Sequence, residues 1–225
     1  MTVTGLSVSP GAIVSGSLQN MAVGTVTIQR APGETGGMYV SVVCLGDVCN
    51  GLSVSQPYVQ PGQNSAAFSV GALGVATSPQ IATFVADSQS ASLTVNPFTV
   101  SLSLSTSRIV AGSMENTATA TVKVDAPVRG TVSADLSCTG LACSGLSMPT
   151  VVTFQPGATT ATFSAGAAGL VSAEHDASIT VTLGTIDSRI LAVAPFLLGL
   201  RVPAVLMSGT GTTKPSRSTC PREGT

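Results

Sequence analysis

Four of the five cysteines in this 225-residue chain fall into two pairs of identical spacing, Cys44-x4-Cys49 and Cys138-x4-Cys143. Thiols at that distance have three chemical fates. They oxidise to a small ring, they remain free thiols, or they supply half of a four-thiolate zinc site. The zinc arrangement requires one pair from each half of the chain to converge, whereas each pair recurs in the same local sequence. Symmetric repetition favours one ring per half. Closing so short a ring is worth about 2 kcal/mol in the chain-entropy description. The residues inside the rings, Leu45, Gly46, Asp47 and Val48 in the first and Thr139, Gly140, Leu141 and Ala142 in the second, are the candidate binding loops. A pinned loop loses less entropy when a ligand arrives. The two loops differ in chemistry, because Asp47 corresponds to Leu141. Cys220 is left over in a polar tail, as a free thiol, an intermolecular link or an incidental residue.

No other group of residues forms a catalytic pattern. Glu174-His175-Asp176 holds the single histidine, but the first half has no equivalent, and the segment reads as a solvated loop just before a strand. Gly-x-Ser-x-Gly, His-Glu-x-x-His and phosphate-loop motifs are absent. Asp87, Asp125, Asp135 and Asp187 are scattered singly, which offers no local calcium cage. The reading is therefore non-catalytic, with no cofactor and no resident metal. Net charge is −1 with nine Lys and Arg in all, which excludes the clustered cations that nucleic-acid binding needs.

What must position these residues is strand. Apolar residues reach 44% while aromatics are 4% and charged residues 8%. A mean hydropathy of +0.47 sets the chain apart from disordered sequences, which combine low hydrophobicity with high charge. Ala118–Val124 alternates Ala118, Ala120, Val122 and Val124 with Thr119, Thr121 and Lys123, the period of a half-buried strand. Ala66–Val70, Ala91–Val95, Ala161–Ala165 and Ile179–Leu183 repeat the pattern between turn residues. Pro61-Gly62 and Pro156-Gly157 mark tight turns. No segment has the period of an amphipathic helix.

The chain is also written twice. Leu6–Ser17 matches Leu102–Ser113, the cysteine pairs match, Val59–Gly62 matches Phe154–Gly157, and Val95–Phe98 matches Val193–Phe196. The offsets run from 94 (138 minus 44) to 98 (193 minus 95). The expected organisation is residues 1–96 as one all-β sandwich, 97–194 as a second, and 195–225 as the start of an incomplete third repeat and a tail. Each unit is expected to carry about seven strands, the number of an immunoglobulin-type antiparallel sandwich.

The Leu-Ser opening strand, the Ile-Val-x-Gly-Ser turn, the Gln-Pro-Gly turn before Ala/Thr-Phe-Ser and the closing Leu-Thr-Val-Asn-Pro resemble the tandem bacterial immunoglobulin-like repeats of surface, secreted and phage virion proteins. The resemblance covers residues 1 to about 196 and implies display, spacing or adhesion; that family shares no catalytic residues to carry over. It implies an unidentified protein or cell-surface partner, and an extracellular, cell-surface or virion location. Met1–Val8 opens directly as strand-like sequence, so no signal peptide is expected in this chain. A ligand- or glycan-binding module using the ringed loops is the rival class.

The apolar run from Ile190 to Met207 is interrupted by Pro195, Gly199, Arg201 and Pro203, which disfavours a membrane span. Its better division is a closing strand to Ala194 and an unpartnered strand-like piece beyond. Phe196, Leu197, Leu198, Leu200, Val202, Val205 and Leu206 are the candidate donor strand for a neighbouring molecule, with head-to-tail self-association through 196–207 and a filament as its outcome.

Overall fold

In the computed structural model, residues 1–197 are described. The first unit is built from β1 (Thr2–Ser9), β2 (Ala12–Val14), β3 (Met21–Gln29), β4 (Met38–Tyr39), β5 (Val43–Leu45), β6 (Leu52–Val54), β7 (Tyr58–Val59), β8 (Ser65–Ala72), β9 (Gln80–Ala86) and β10 (Gln89–Asn96). The second follows with β11 (Val100–Leu104), β12 (Arg108–Val110), β13 (Thr117–Val124), β14 (Val132–Thr139), β15 (Leu146–Ser147), β16 (Val151–Phe154), β17 (Thr160–Ala167), β18 (His175–Leu183) and β19 (Thr185–Ala194).

In the first unit one sheet runs β1-β3-β8-β6 and the other β2-β10-β9-β5, with β4 and β7 as a separate ribbon. The second unit repeats this as β11-β13-β17-β15 facing β12-β19-β18-β14-β16. The opening strand is split in both. Its first part pairs antiparallel in one sheet, and its second part, β2 or β12, pairs parallel with the last strand of the other. This strand order defines two tandem immunoglobulin-like sandwiches. More strands appear than the expected seven, because the opening strand counts as two segments and the return after the cysteine ring makes a further short pairing, β7 with β4 and β16 with β14.

The alternating segments lie inside these strands. Ala118, Ala120, Val122 and Val124 are buried, and Thr119, Thr121 and Lys123 face outward or are half-buried. The cores are small-residue cores. In the second unit Phe98, Leu102, Ile109, Phe154, Ile179 and Leu191 are among the large members and are completely buried, with Ala118, Ala120, Ala134 and Ala177 filling between them. In the first unit Phe68 and Phe84 meet edge to face with ring centroids 6.1 Å apart beside Ile13, Leu93 and Val95.

Candidate functional site

Each cysteine pair is closed as a disulfide, Cys44 to Cys49 and Cys138 to Cys143, with Cα atoms 5.8 Å apart in both. Each ring opens on the last residue of a strand, Leu45 or Thr139, and closes within a 3-10 turn, Asp47–Gly51 or Leu141–Gly145, where sequence reasoning gave only loops. Gly46 and Gly140 enter these turns at φ 109° and 116°, which a residue with a Cβ rarely adopts. A Cβ on Gly140 would also stand 2.5 Å from the Asp176 carbonyl oxygen. The Cys49 N–H donates back to the Gly46 carbonyl at 3.1 Å, and Cys143 to Gly140 at 3.2 Å. Each ring carries the chain from one sheet of its sandwich to the other. The half-buried cysteines of each ring pack against the core of their own unit.

The candidate binding residues diverge in exposure. Leu45 and Leu141 are exposed, whereas Ala142 is buried. Asp47 and Val48 line an open pocket of about 230 Å³ with Ser15, Gly51, Ala76 and Gln80. The Glu174-His175-Asp176 segment differs from the expected loop. His175 and Asp176 are the first residues of β18, both exposed, and Glu174 receives a two-pronged contact from Arg108 at 3.0 and 3.2 Å. Cross-strand pairing explains the change, because β19 supplies Val193 and Ala192 opposite His175 and Asp176. Among the described residues no group of three His, Cys, Asp or Glu could hold a metal ion. Phe196 and Leu197 are exposed and belong to no strand; Leu198, Leu200, Val202, Val205 and Leu206 of the candidate donor strand, and Cys220, lie outside the described residues. Among the described residues, no helix is long and apolar enough to cross a membrane.

Two features go beyond the sequence reading. The first is the bracing of the joint between the units, whose short Asn96-Pro97-Phe98 connection is itself legible in the sequence. Only residues 97–99 separate β10 from β11. Phe98 is fully buried in the second core, and Val14 of the first unit packs against that same core. The Leu18 N–H donates to the Pro127 carbonyl at 2.8 Å and the Arg129 N–H to the Gly16 carbonyl at 2.9 Å, so the two units share a short antiparallel bridge between Ser17 and Val128. The turn that makes it holds the buried polar residues Ser15, Ser17 and Asn20. Ser17 Oγ donates to the Val14 carbonyl at 2.7 Å and accepts from the Gln19 N–H at 2.9 Å. Asn20 Nδ2 donates to the Ala72 carbonyl at 2.8 Å. Gly16 stands at φ 77°, and a Cβ there would meet Val75 Cγ2 at 2.7 Å and Phe98 Cε2 at 3.2 Å. The sequence signal for this joint was the Gly16-Ser17 turn; backbone bonds across the units have no side-chain signature.

The second is a carboxylate that ties the opening strand to the opposite sheet. Asp187 on β19 accepts from the Leu102 N–H at 2.8 Å, while Thr185 Oγ1 accepts from the Val100 N–H at 2.9 Å. The Leu102 bond is the largest of the influences holding the Asp187 carboxyl below its usual range; partial burial opposes it, and the Ser188 N–H and Arg189 add to it. The first unit uses Asp87 in the same way, accepting from Val3 N–H at 3.2 Å.

The fold is that of two tandem immunoglobulin-like sandwiches, each with one closed disulfide ring. The chain is similar in structure to an Escherichia coli adhesin, FdeC, at 17% identity and a TM-score of 0.37, covering 84% of this chain and 63% of that one. It is also similar to the D0-D1 domain of intimin, at 13% identity and a TM-score of 0.32 over 85% of this chain and 98% of that one. A third similar structure is domains 5-6 of the S-layer protein SbsC, at 16% identity and a TM-score of 0.30 over 87% of this chain and 99% of that one. No protein-family model matches the chain. No curated protein sequence matches it either.

Proposed function

We propose that the chain is a non-catalytic structural or adhesion module, a stiff two-unit spacer that holds other groups at a fixed distance on a cell surface or virion. The observation that carries the reading is the joint. A three-residue connection, Val14 of the first unit packed on the second core, and a backbone bridge oppose bending, and a polar turn with its own internal bonds has little freedom to reorganise. The closed rings support an oxidising, extracellular setting, because short-range disulfides persist where thiols are not kept reduced. The proposed unit boundaries, 1–96 and 97–194, fall at this joint.

Residual dipolar couplings test the mechanism. One alignment tensor fitting residues 2–96 and 100–194 together is the expected result. Two tensors of different magnitude would show independent units and remove the spacer reading. The pocket beside Asp47 and Val48 favours one secondary reading, ligand binding at the first ring alone, since the second ring has Leu141 and a buried Ala142 at those places. Self-association through 196–207 stands as a further proposal that rests on the sequence.

A further inference from the structure

The chain contains two tyrosines and no tryptophan, and the fold brings the two tyrosines together. Tyr39 on β4 and Tyr58 on β7 are directly paired across the ribbon, with ring centroids 4.8 Å apart and planes tilted by 53°. Both are in the open, Tyr39 at 68% and Tyr58 at 38% exposure. The second unit supplies an internal control. There the equivalent cross-strand pair is Ser133 and Thr153, whose hydroxyls lie 3.3 Å apart, and the same sandwich forms around it. Ser133 precedes Cys138 by five positions as Tyr39 precedes Cys44, and Thr153 precedes the Phe154–Gly157 turn as Tyr58 precedes Val59–Gly62. The fold therefore does not require aromatic rings at this place.

The surroundings restrain Tyr58 and the loops beside it. Tyr58 lies across Gly37, where a Cβ would collide with the phenol, and beside Pro61. At the matching position, 94 residues on, the second unit has Thr131. Arg30 clamps the adjoining loops through its whole guanidinium, with Nη1 donating to Gly36 at 2.6 Å, Nη2 to Gln60 at 2.9 Å and Nε to Gln63 at 2.9 Å. The second unit joins its corresponding loops by backbone bonds alone, Val128 N–H to Ala158 and Gly157 N–H to Val128. Arginine, glycine and two tyrosines thus depart from the repeat together and at one spot.

Apart from the Arg30 guanidinium, whose three nitrogens are already engaged by backbone carbonyls, the chemistry around the rings is uncharged. Residues 38–43 and 55–61 contain no ionisable side chain other than the two phenols, and exposed Ser41, Gln56 and Gln60 offer neutral donors and acceptors. The position of Ser41 is taken by Asp135 in the second unit. Two tilted, half-open aromatic faces with an amide and hydroxyl rim match a ligand with an apolar C–H face and a periphery of hydroxyls. From this combination we infer that the Tyr39–Tyr58 ribbon is a binding platform for an uncharged pyranose carbohydrate, separate from the disulfide rings and present in the first unit only. The restrained Tyr58 and its clamped loops keep the ordering cost of binding low.

The test uses the full chain, displayed on beads, against a printed panel of neutral and sialylated oligosaccharides. A soluble form of any retained glycan is then titrated while tyrosine emission is followed, a signal that reports this site alone because the chain has no other tyrosine and no tryptophan. The expected result is retention on neutral glycans, a saturable emission change, and at least a tenfold loss of retention in Y39S/Y58T. That variant copies the pair the second unit already carries, and an unchanged thermal melt verifies its fold. Absence of retention on every neutral glycan, retention only on sialylated ones, or equal retention by the folded double variant each overturns the inference.

Discussion

Removing one disulfide ring tests how these small cores are held together. Each ring spans a sequence separation of five, so chain-entropy bookkeeping for a loop of about six residues gives about 2 kcal/mol at room temperature. In a unit of roughly 95 residues, 1 kcal/mol moves the melting temperature by about 4–8 °C, so C138S/C143S should lower its unit's transition by roughly 10 °C. The 3-10 turn retains its own backbone bond, Cys143 N–H to Gly140, so the native loop survives the change and the loss falls on the unfolded side. Differential scanning calorimetry of C44S/C49S, C138S/C143S and the quadruple variant reads the effect. The two losses should add, since the rings lie in different cores. A shift below about 2 °C in both double variants would refute the entropic account. Full unfolding at room temperature would instead assign the sulfurs a packing role far beyond that of half-buried groups at the edge of a core.

Phe98 is completely buried at the head of the second core, so Phe98→Ala should cost about 3–5 kcal/mol and act on the second unit's transition, as urea titration would show. The depressed Asp187 carboxyl contributes stability that is fully present above its ordinary value of 3.8 and is lost as pH falls through the lower folded value. Asp187→Asn should therefore flatten the acid side of the stability profile, and urea midpoints that fall in parallel for both proteins between about pH 2 and 6 would contradict this.

Much of the architecture was readable because it rests on period-two alternation. Ala118–Val124 and Ile179–Leu183 announce strands by which side chains are apolar, and Pro-Gly turns announce where strands reverse. What the alternation could not convey is register between distant segments. Tyr39 and Tyr58 sit on strands of only two residues, too short to show a period, and their meeting depends on the return of the chain after the first ring. His175 and Asp176 looked like turn residues since polar side chains suit either a loop or the exposed start of a strand, and only the length of β19 decides between them. The short Asn96-Pro97-Phe98 connection is legible, but the bonds that brace it are made by main-chain atoms, which every sequence possesses. Asp187 looked like one acid among several because its partner is the Leu102 N–H, 85 positions away.

The split opening strand carries a consequence for how the molecule bears load. Ala12–Val14 runs parallel to Thr94–Asn96, and Arg108–Val110 runs parallel to Ala192–Ala194. A force drawing the two ends of a unit apart pulls these neighbours in opposite directions along their own axes. The Thr94 N–H to Gly11 and Ser15 N–H to Asn96 bonds, and their counterparts Ala192 to Ser107 and Ala111 to Ala194, are then sheared together rather than peeled one after another. Once the opening segment, β1 or β11, is taut, the tug reaches this parallel pair and meets a row of bonds at once.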